Sequence, residues 1–254
     1  MSCLGIDVCS TVQGSELDHL TVEGIEATDA LGRAICQSEL TVHCDRFSPL
    51  KLDLKLGPDD LEPVFSGAAW AGTVLWRAAA VLVDRAFLGE GAVPIEGRTC
   101  IELGCGLGVP GMACARLGAS KVALTEQPSL VDLLTRNVEA NFSTEDVRAV
   151  SFPWSRAGAA SLKDDFCGGD CFDVIVCCDC VYVPLYGDSW ILLLEAVDAL
   201  AGPHTDVLIS LERRSTASCF DGVDPFLAGM KKNGFVKTAY PAMMPVEVFR
   251  FRRA

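Results

Sequence analysis

The chain has 254 residues, half of them apolar, and its 34 acidic and 21 basic side chains leave a net charge of -13. That length supplies a full hydrophobic core. The negative field argues against a broad surface that tracks nucleic-acid phosphates and suits a basic partner, such as a lysine-bearing protein.

The longest apolar run, Gly67 to Val83, is broken by Arg77, and the opening residues lack the basic and apolar regions of a signal peptide, so no membrane association is expected. Thirteen cysteines are too scattered for a disulfide framework in a chain this long; they imply a reducing compartment, cytosol or nucleus. Cys167, Cys171, Cys177, Cys178 and Cys180 lie close in sequence without forming paired C-x-x-C units, and His19, His43 and His204 are scattered, so no metal site is expected.

In chain order, residues 1–33 carry no periodic pattern and read as an irregular lead-in. Residues 34–254 read as a single domain in two parts. In 34–96, Leu40, Val42 and Cys44 alternate with polar residues, and Leu50, Leu52, Leu54 and Leu56 do so again after Ser48-Pro49, the pattern of a β-hairpin. Trp76, Ala79, Ala80, Val83 and Phe87 then share one face of a helix ending near Gly89.

In 97–254 short apolar strands alternate with helical stretches. Strands are predicted at 100–103, 121–125, 147–152, 172–178 and 206–211, and helices at 109–117, 129–141 and 190–200. Near-continuous apolar strands such as Val174 to Cys178 imply burial on both faces, hence an α/β, doubly wound, mainly parallel sheet with helices on each side. Residues 235–240 and 246–252 are joined by a loop too short for a crossover helix and should pair antiparallel.

The run IELGCGLGVPG, residues 101–111, is how a strand turns into a helix beside a bound nucleotide. Gly106, Gly108 and Gly111 satisfy the dinucleotide fingerprint G-x-G-x-x-G, with Glu126 about 20 residues on. The same geometry serves S-adenosylmethionine, because glycines admit the ligand to the backbone and a carboxylate ending the next strand can take both ribose hydroxyls. Glu102, two residues before Gly104, suits a ligand with an ammonium and a sulfonium better than one with a pyrophosphate. The loop's position about 100 residues into the chain and the antiparallel end of the sheet also favour the methyl donor. A nicotinamide or flavin remains the rival occupant.

The series GTVLW at 72–76, IELGCGLG at 101–108, LTEQ at 124–127 with NVEAN at 137–141, Trp154, and DVIVCCDCVY at 173–182 resembles the class I seven-strand methyltransferases of the family-16 type, which include many protein-lysine methyltransferases. The similarity runs in order over about residues 70–214, and its most specific element is Asp179 to Tyr182, matching D-x-x-Y after the fourth strand. The resemblance implies a Rossmann-like seven-stranded sheet with an antiparallel last strand, preceded by the hairpin and helix. It also implies that S-adenosyl-L-methionine is bound by Trp76, Glu102, Gly104, Cys105, Gly106, Glu126, Trp154 and Cys178. Glu126 departs from the aspartate more usual there, its longer arm reaching the same diol.

Asp179 and Tyr182 are the catalytic candidates that the resemblance implies, Asp179 orienting the acceptor nitrogen and Tyr182 walling the lysine channel. Methyl transfer is an in-line displacement that depends on positioning, and presenting lysine as a neutral amine near pH 7 costs roughly 4 kcal/mol. The expected activity is methylation of a lysine in a protein substrate by a monomeric enzyme; a small-amine N-methyltransferase or an idle cofactor-binding subunit are the alternatives. Residues 211–214, Leu-Glu-Arg-Arg, follow the fifth strand, where the resemblance implies a charged Glu-Arg pair that could organise the substrate mouth; an ordinary surface ion pair fits it as well.

Overall fold

The computed structural model describes residues 17–24, 39–53, 69–143, 145–214 and 220–254. Three antiparallel strands come first, β1 (Leu20–Gly24), β2 (Glu39–Cys44) and β3 (Leu50–Asp53), side by side in that order. The alternation in β2 and β3 does what it implies: Val42, Leu50 and Leu52 are buried. Leu54 and Leu56 lie outside the described residues. Strand β1 falls inside the stretch expected to be irregular; Leu20 and Val22 alternate with Thr21 and Glu23, and the strand is held by pairing with β2.

Helix α1 (Arg77–Leu82) continues into a π-helical turn, Val83–Leu88, and the two bury every residue from Ala78 to Asp84. The core follows as β4 (Thr99–Leu103), α2 (Val109–Arg116), β5 (Lys121–Glu126), α3 (Val131–Asn141), β6 (Val147–Ser151), α4 (Arg156–Cys167) and β7 (Phe172–Cys178). It closes with α5 (Val183–Tyr186), α6 (Ser189–Leu200), β8 (Ala201–Glu212), α7 (Val223–Lys232), β9 (Phe235–Ala239) and β10 (Val246–Arg253).

Seven strands form one sheet in the order β6-β5-β4-β7-β8-β10-β9, parallel throughout except β10, which runs antiparallel to both neighbours. Strand β7 shows why its sequence is continuously apolar. Val174 and Val176 pack on one face, with α1 and α2, while Ile175 and Cys177 pack on the other with Leu162, Leu193 and Phe226. The antiparallel edge is tied in by Asp206 on β8, which accepts hydrogen bonds from Arg98 (2.9 Å), Arg250 (2.6 Å) and Arg252 (2.6 Å). Burial raises its carboxyl, but the three guanidiniums outweigh that and pull it down to about 2.

Helices α4 and α7 were not anticipated, although each has a readable stripe: Ala159, Leu162 and Phe166 in one, Val223, Phe226 and Met230 in the other. Ser155 caps α4, its Oγ accepting from the Gly158 N–H at 3.1 Å. The N-terminal sheet is fastened to the core by two asparagines of α3. Asn137 Oδ1 accepts from the Asp53 N–H at 2.6 Å, and Asn141 pairs with both backbone groups of Lys51, at 2.9 and 2.6 Å. Strand β3 thus finds partners for edge groups that burial would otherwise leave unpaired.

Candidate functional site

The strand order reverses between β4 and β7, and a cavity of about 380 Å³ opens where their carboxyl ends diverge. Open α/β sheets place ligands at this point because the loops there turn in opposite directions and leave a crevice. The wall is built from the turn after β4, the residues before α1, the end of β5, and the segment after β7.

Gly104, Gly106 and Gly108 have φ of 60°, 54° and 78°, the left-handed conformation that side chains resist, so this turn demands glycine on backbone grounds. A Cβ on Gly104 would sit 3.1 Å from both Trp154 Cζ2 and Cys180 Sγ, and one on Gly106 would sit 3.2 Å from the Gly72 carbonyl oxygen. The bare backbone therefore lines the cavity with Trp154 and Gly72 pressed against it. Gly111 has another reason: its Cβ would lie 2.9 Å from Glu102 Oε2. The last glycine of the apparent dinucleotide fingerprint is a packing requirement, and it is absent from the cavity wall.

Glu126, at the end of β5, lines the cavity and is 7% exposed. Its Oε1 accepts from the Gly106 N–H at 3.1 Å and its Oε2 from the Gln127 N–H at 2.5 Å. Burial raises its carboxyl, against the lowering effect of those two donors. Each oxygen keeps acceptor capacity for hydroxyl donors. Trp76, whose indole N–H donates to the Ala71 carbonyl at 2.8 Å, and Trp154, with φ of 33°, both line the cavity, as do Cys105 and Cys178. Burial pushes both thiols well above their usual range, so they contribute bulk and no nucleophile.

Glu102 lies behind this wall. It is 1% exposed and absent from the cavity lining, and its Oε2 accepts from the Gly111 N–H in the first turn of α2 at 2.6 Å. Burial, assisted by the charge of Glu126 and opposed by that hydrogen bond, pushes its carboxyl up to about 8. Glu102 therefore shapes the glycine turn from beneath.

Asp179 faces the cavity from the end of β7 with φ of 54°, a conformation aspartate tolerates better than most residues. Its carboxylate is clamped by Arg214, Nη1 to Oδ1 at 3.0 Å and Nη2 to Oδ2 at 2.6 Å, and Oδ1 also accepts from the Glu212 N–H at 3.1 Å. Arg214 Nη2 reaches Glu212 Oε2 at 2.9 Å as well, and its guanidinium carbon sits 5.4 Å from the Trp76 ring centroid and 5.3 Å from that of Tyr182. Tyr182 is buried and absent from the cavity wall, which on that side consists of Leu185, Tyr186, Ser189 and Leu192. Sequence reasoning gave Glu212 and Arg214 a possible role at the substrate mouth but left them out of the catalytic set; the pair at the end of β8 read equally well as a surface pair, and nothing in the sequence showed that Arg214 clamps Asp179.

A doubly wound sheet carrying a glycine turn, a strand-end carboxylate and a cavity at its switch point is the arrangement in which open α/β sheets receive ligands. Residues 64–230 match the model of a family described as lysine methyltransferase, and the chain belongs to that family. It is similar to the secreted RxLR effector protein 48 of Plasmopara viticola, 40% identical over 136 residues that make up 49% of this chain and 66% of that one. It is also similar to the protein N-lysine methyltransferase METTL21A of Danio rerio, 30% identical over 178 residues, 70% of this chain and 75% of that one. With EEF1A lysine methyltransferase 3 of Xenopus tropicalis it shares 28% identity over 141 residues, 55% and 57% of the two chains. The match thus spans between 57% and 75% of the length of these relatives.

Among solved structures, an O-methyltransferase family protein from Burkholderia thailandensis superposes with a TM-score of 0.54 at 14% identity, covering 69% of this chain and 55% of that one. The mitomycin 7-O-methyltransferase MmcR superposes at 0.52 and 15% identity, covering 77% and 66%. Likeness at such identity concerns the fold alone. Among the described residues no helix is long and apolar enough to cross a membrane, and no group of His, Cys, Asp and Glu is arranged to hold a metal.

Proposed function

We propose that the protein transfers a methyl group from S-adenosyl-L-methionine to the side-chain nitrogen of a lysine in a protein substrate. The observation that carries the reading is the presence, in one cavity, of a glycine turn backed by Glu126 and a strand-end Asp179, in a member of the lysine methyltransferase family. The donor supplies an electrophilic methyl carbon on a sulfonium.

Everything else falls to the chain. Glu126 accepts from the ribose hydroxyls, and its grip on the Gly106 N–H holds the glycine turn in register with that sugar. Trp76 and Trp154 give aromatic faces for adenine and for positive charge. Asp179 presents an oxygen toward the incoming amine, and Leu185 and Leu192 keep water from the approach. The net charge of -13 favours encounter with a basic substrate surface, and the abundance of cysteine suits cytosol or nucleus.

The test is incubation of the protein with methyl-labelled donor and a cell lysate. Label in discrete protein bands, at lysine on hydrolysis, is the expected result. Label confined to small molecules would redirect the assignment to a free amine, and calorimetric donor binding with no transfer would make the chain a binding subunit.

A further inference from the structure

Resting on that reading, we infer that Arg214 is a resident cation that lowers the pKa of the acceptor lysine by offsetting the charges of Asp179 and Glu212, so that the lysine releases its proton to solvent before transfer and Asp179 orients the nucleophile without having to act as its base. The starting point is a count of lone pairs. A carboxylate offers about four acceptor positions. Among the described residues, Oδ1 of Asp179 is taken by the Glu212 N–H and Arg214 Nη1, and Oδ2 by Arg214 Nη2, which leaves one position, on Oδ2. An amine bonded there shares an oxygen with Nη2, which already stands 2.6 Å from it, and the two nitrogens are then at most about 5.5 Å apart.

The carboxylate that the amine bonds raises its pKa and the guanidinium beside it lowers it, so removing Arg214 must shift that pKa upward. A guanidinium suits the role because it stays protonated under all working conditions, whereas the carboxylate it grips is a poor base. Arg214 is also held firmly. It is bidentate to Asp179, bonded to Glu212 and within cation–π distance of Trp76 and Tyr182, with 15% of its side chain exposed.

Among the described residues, the other charged and titratable groups around this point are Asp179 on the segment after β7, Glu212 on β8, Asp221 before α7, which accepts from the Arg214 N–H at 3.2 Å, and Arg77 on α1, whose charge acts on Glu212. Tyr182, Tyr186, Glu126, Cys178 and Cys180 complete the surroundings, with the Tyr186 hydroxyl and both thiols kept neutral by burial. Without Arg214, the charges of Asp179 and of Glu212 behind it would act on the acceptor with no cation between them and favour its ammonium form further.

The experiment compares wild type, Arg214→Gln and Arg214→Lys. Transfer of label to the lysate band is followed from pH 6 to 10 at saturating donor, with donor affinity checked by calorimetry. The acid limb of the wild-type profile should lie about one to two units below that of Arg214→Gln. Arg214→Lys keeps the charge and should keep the wild-type limb while its maximal rate falls from loss of the fork. Coincident limbs in wild type and Arg214→Gln, or a Lys variant that shifts with Gln, would overturn the inference.

A second readout needs neither donor nor turnover. Millimolar n-butylammonium, against sodium at equal ionic strength, should raise the melting temperature of Arg214→Gln more than that of wild type at pH 7. Equal or greater stabilisation of wild type would count against a site that repels ammonium. If wild type itself neither binds donor nor labels protein, the methyltransferase reading fails, and the n-butylammonium comparison still decides the role of Arg214.

Discussion

Both oxygens of Asp179 are held by the guanidinium of Arg214, at 3.0 and 2.6 Å, in a cavity that the glycine turn after β4 also lines. The carboxylate is thus fixed before any acceptor arrives, which is what an in-line displacement requires of a positioning group. In Asp179→Asn the amide keeps one acceptor and loses the charge that balances Arg214. Turnover should fall about 100-fold or more, while donor affinity by calorimetry stays within about twofold. Unfolding should show a loss of about 1–3 kcal/mol from the half-broken clamp. An Asn variant with near-normal turnover would remove Asp179 from the chemistry.

Gly106→Ala tests the turn. The residue has φ of 54°, which costs a non-glycine residue about 1–2 kcal/mol, and the new Cβ would press on the Gly72 carbonyl at 3.2 Å. Stability should drop by that amount, and donor affinity should fall as well, because the Gly106 N–H that Glu126 grips would be displaced. Chemical denaturation together with calorimetry separates the two effects.

The glycine turn was legible because its constraint is local: three residues need positive φ and only glycine supplies it freely. The parallel core was legible for a similar reason, since burial on both faces of β7 writes itself as an unbroken apolar run. Arg214 was not, because its meaning comes from Asp179, 35 residues away, and from two aromatic rings brought in by other segments. Read alone, an arginine after a strand looks like surface. Glu102 misled in the opposite way: its spacing to Gly104 suggested contact with a ligand, whereas the strand's pleat turns it onto the first turn of α2.

Glu126→Ala should separate donor recognition from the acceptor side. The carboxylate is within the wall and holds two backbone amides, so its removal frees the turn as well as the ribose contact. Donor affinity is expected to fall at least about tenfold, equivalent to about 1.4 kcal/mol. Unchanged affinity would mean that the sugar lies elsewhere.

Asn137→Ala should loosen the N-terminal sheet without touching the cavity. The side chain is fully buried and its Oδ1 is the acceptor for the Asp53 N–H, so the substitution strands a backbone donor at a cost of about 1–3 kcal/mol. Hydrogen exchange should accelerate first at β3 and then across β2, with donor binding preserved. Protection that persists at Asp53 would show that the asparagine is not the fastening.

Glu102 makes stability depend on pH with a predictable sign. Burial places its folded-state pKa at about 8, above the ordinary glutamate value, so the folded protein retains a proton that the unfolded chain releases. Stability is therefore greatest below the unfolded value and is lost as pH rises through the folded one, with a slope of up to about 1.4 kcal/mol per pH unit between roughly 4.5 and 8. Glu126, raised in the same direction by burial, adds to that trend. Glu102→Gln mimics the protonated acid, keeps an oxygen for the Gly111 N–H, and cannot ionise. Its stability measured by chemical denaturation should fall less steeply over that window and exceed wild type at pH 9, whereas parallel curves would mean that Glu102 already ionises in the folded protein.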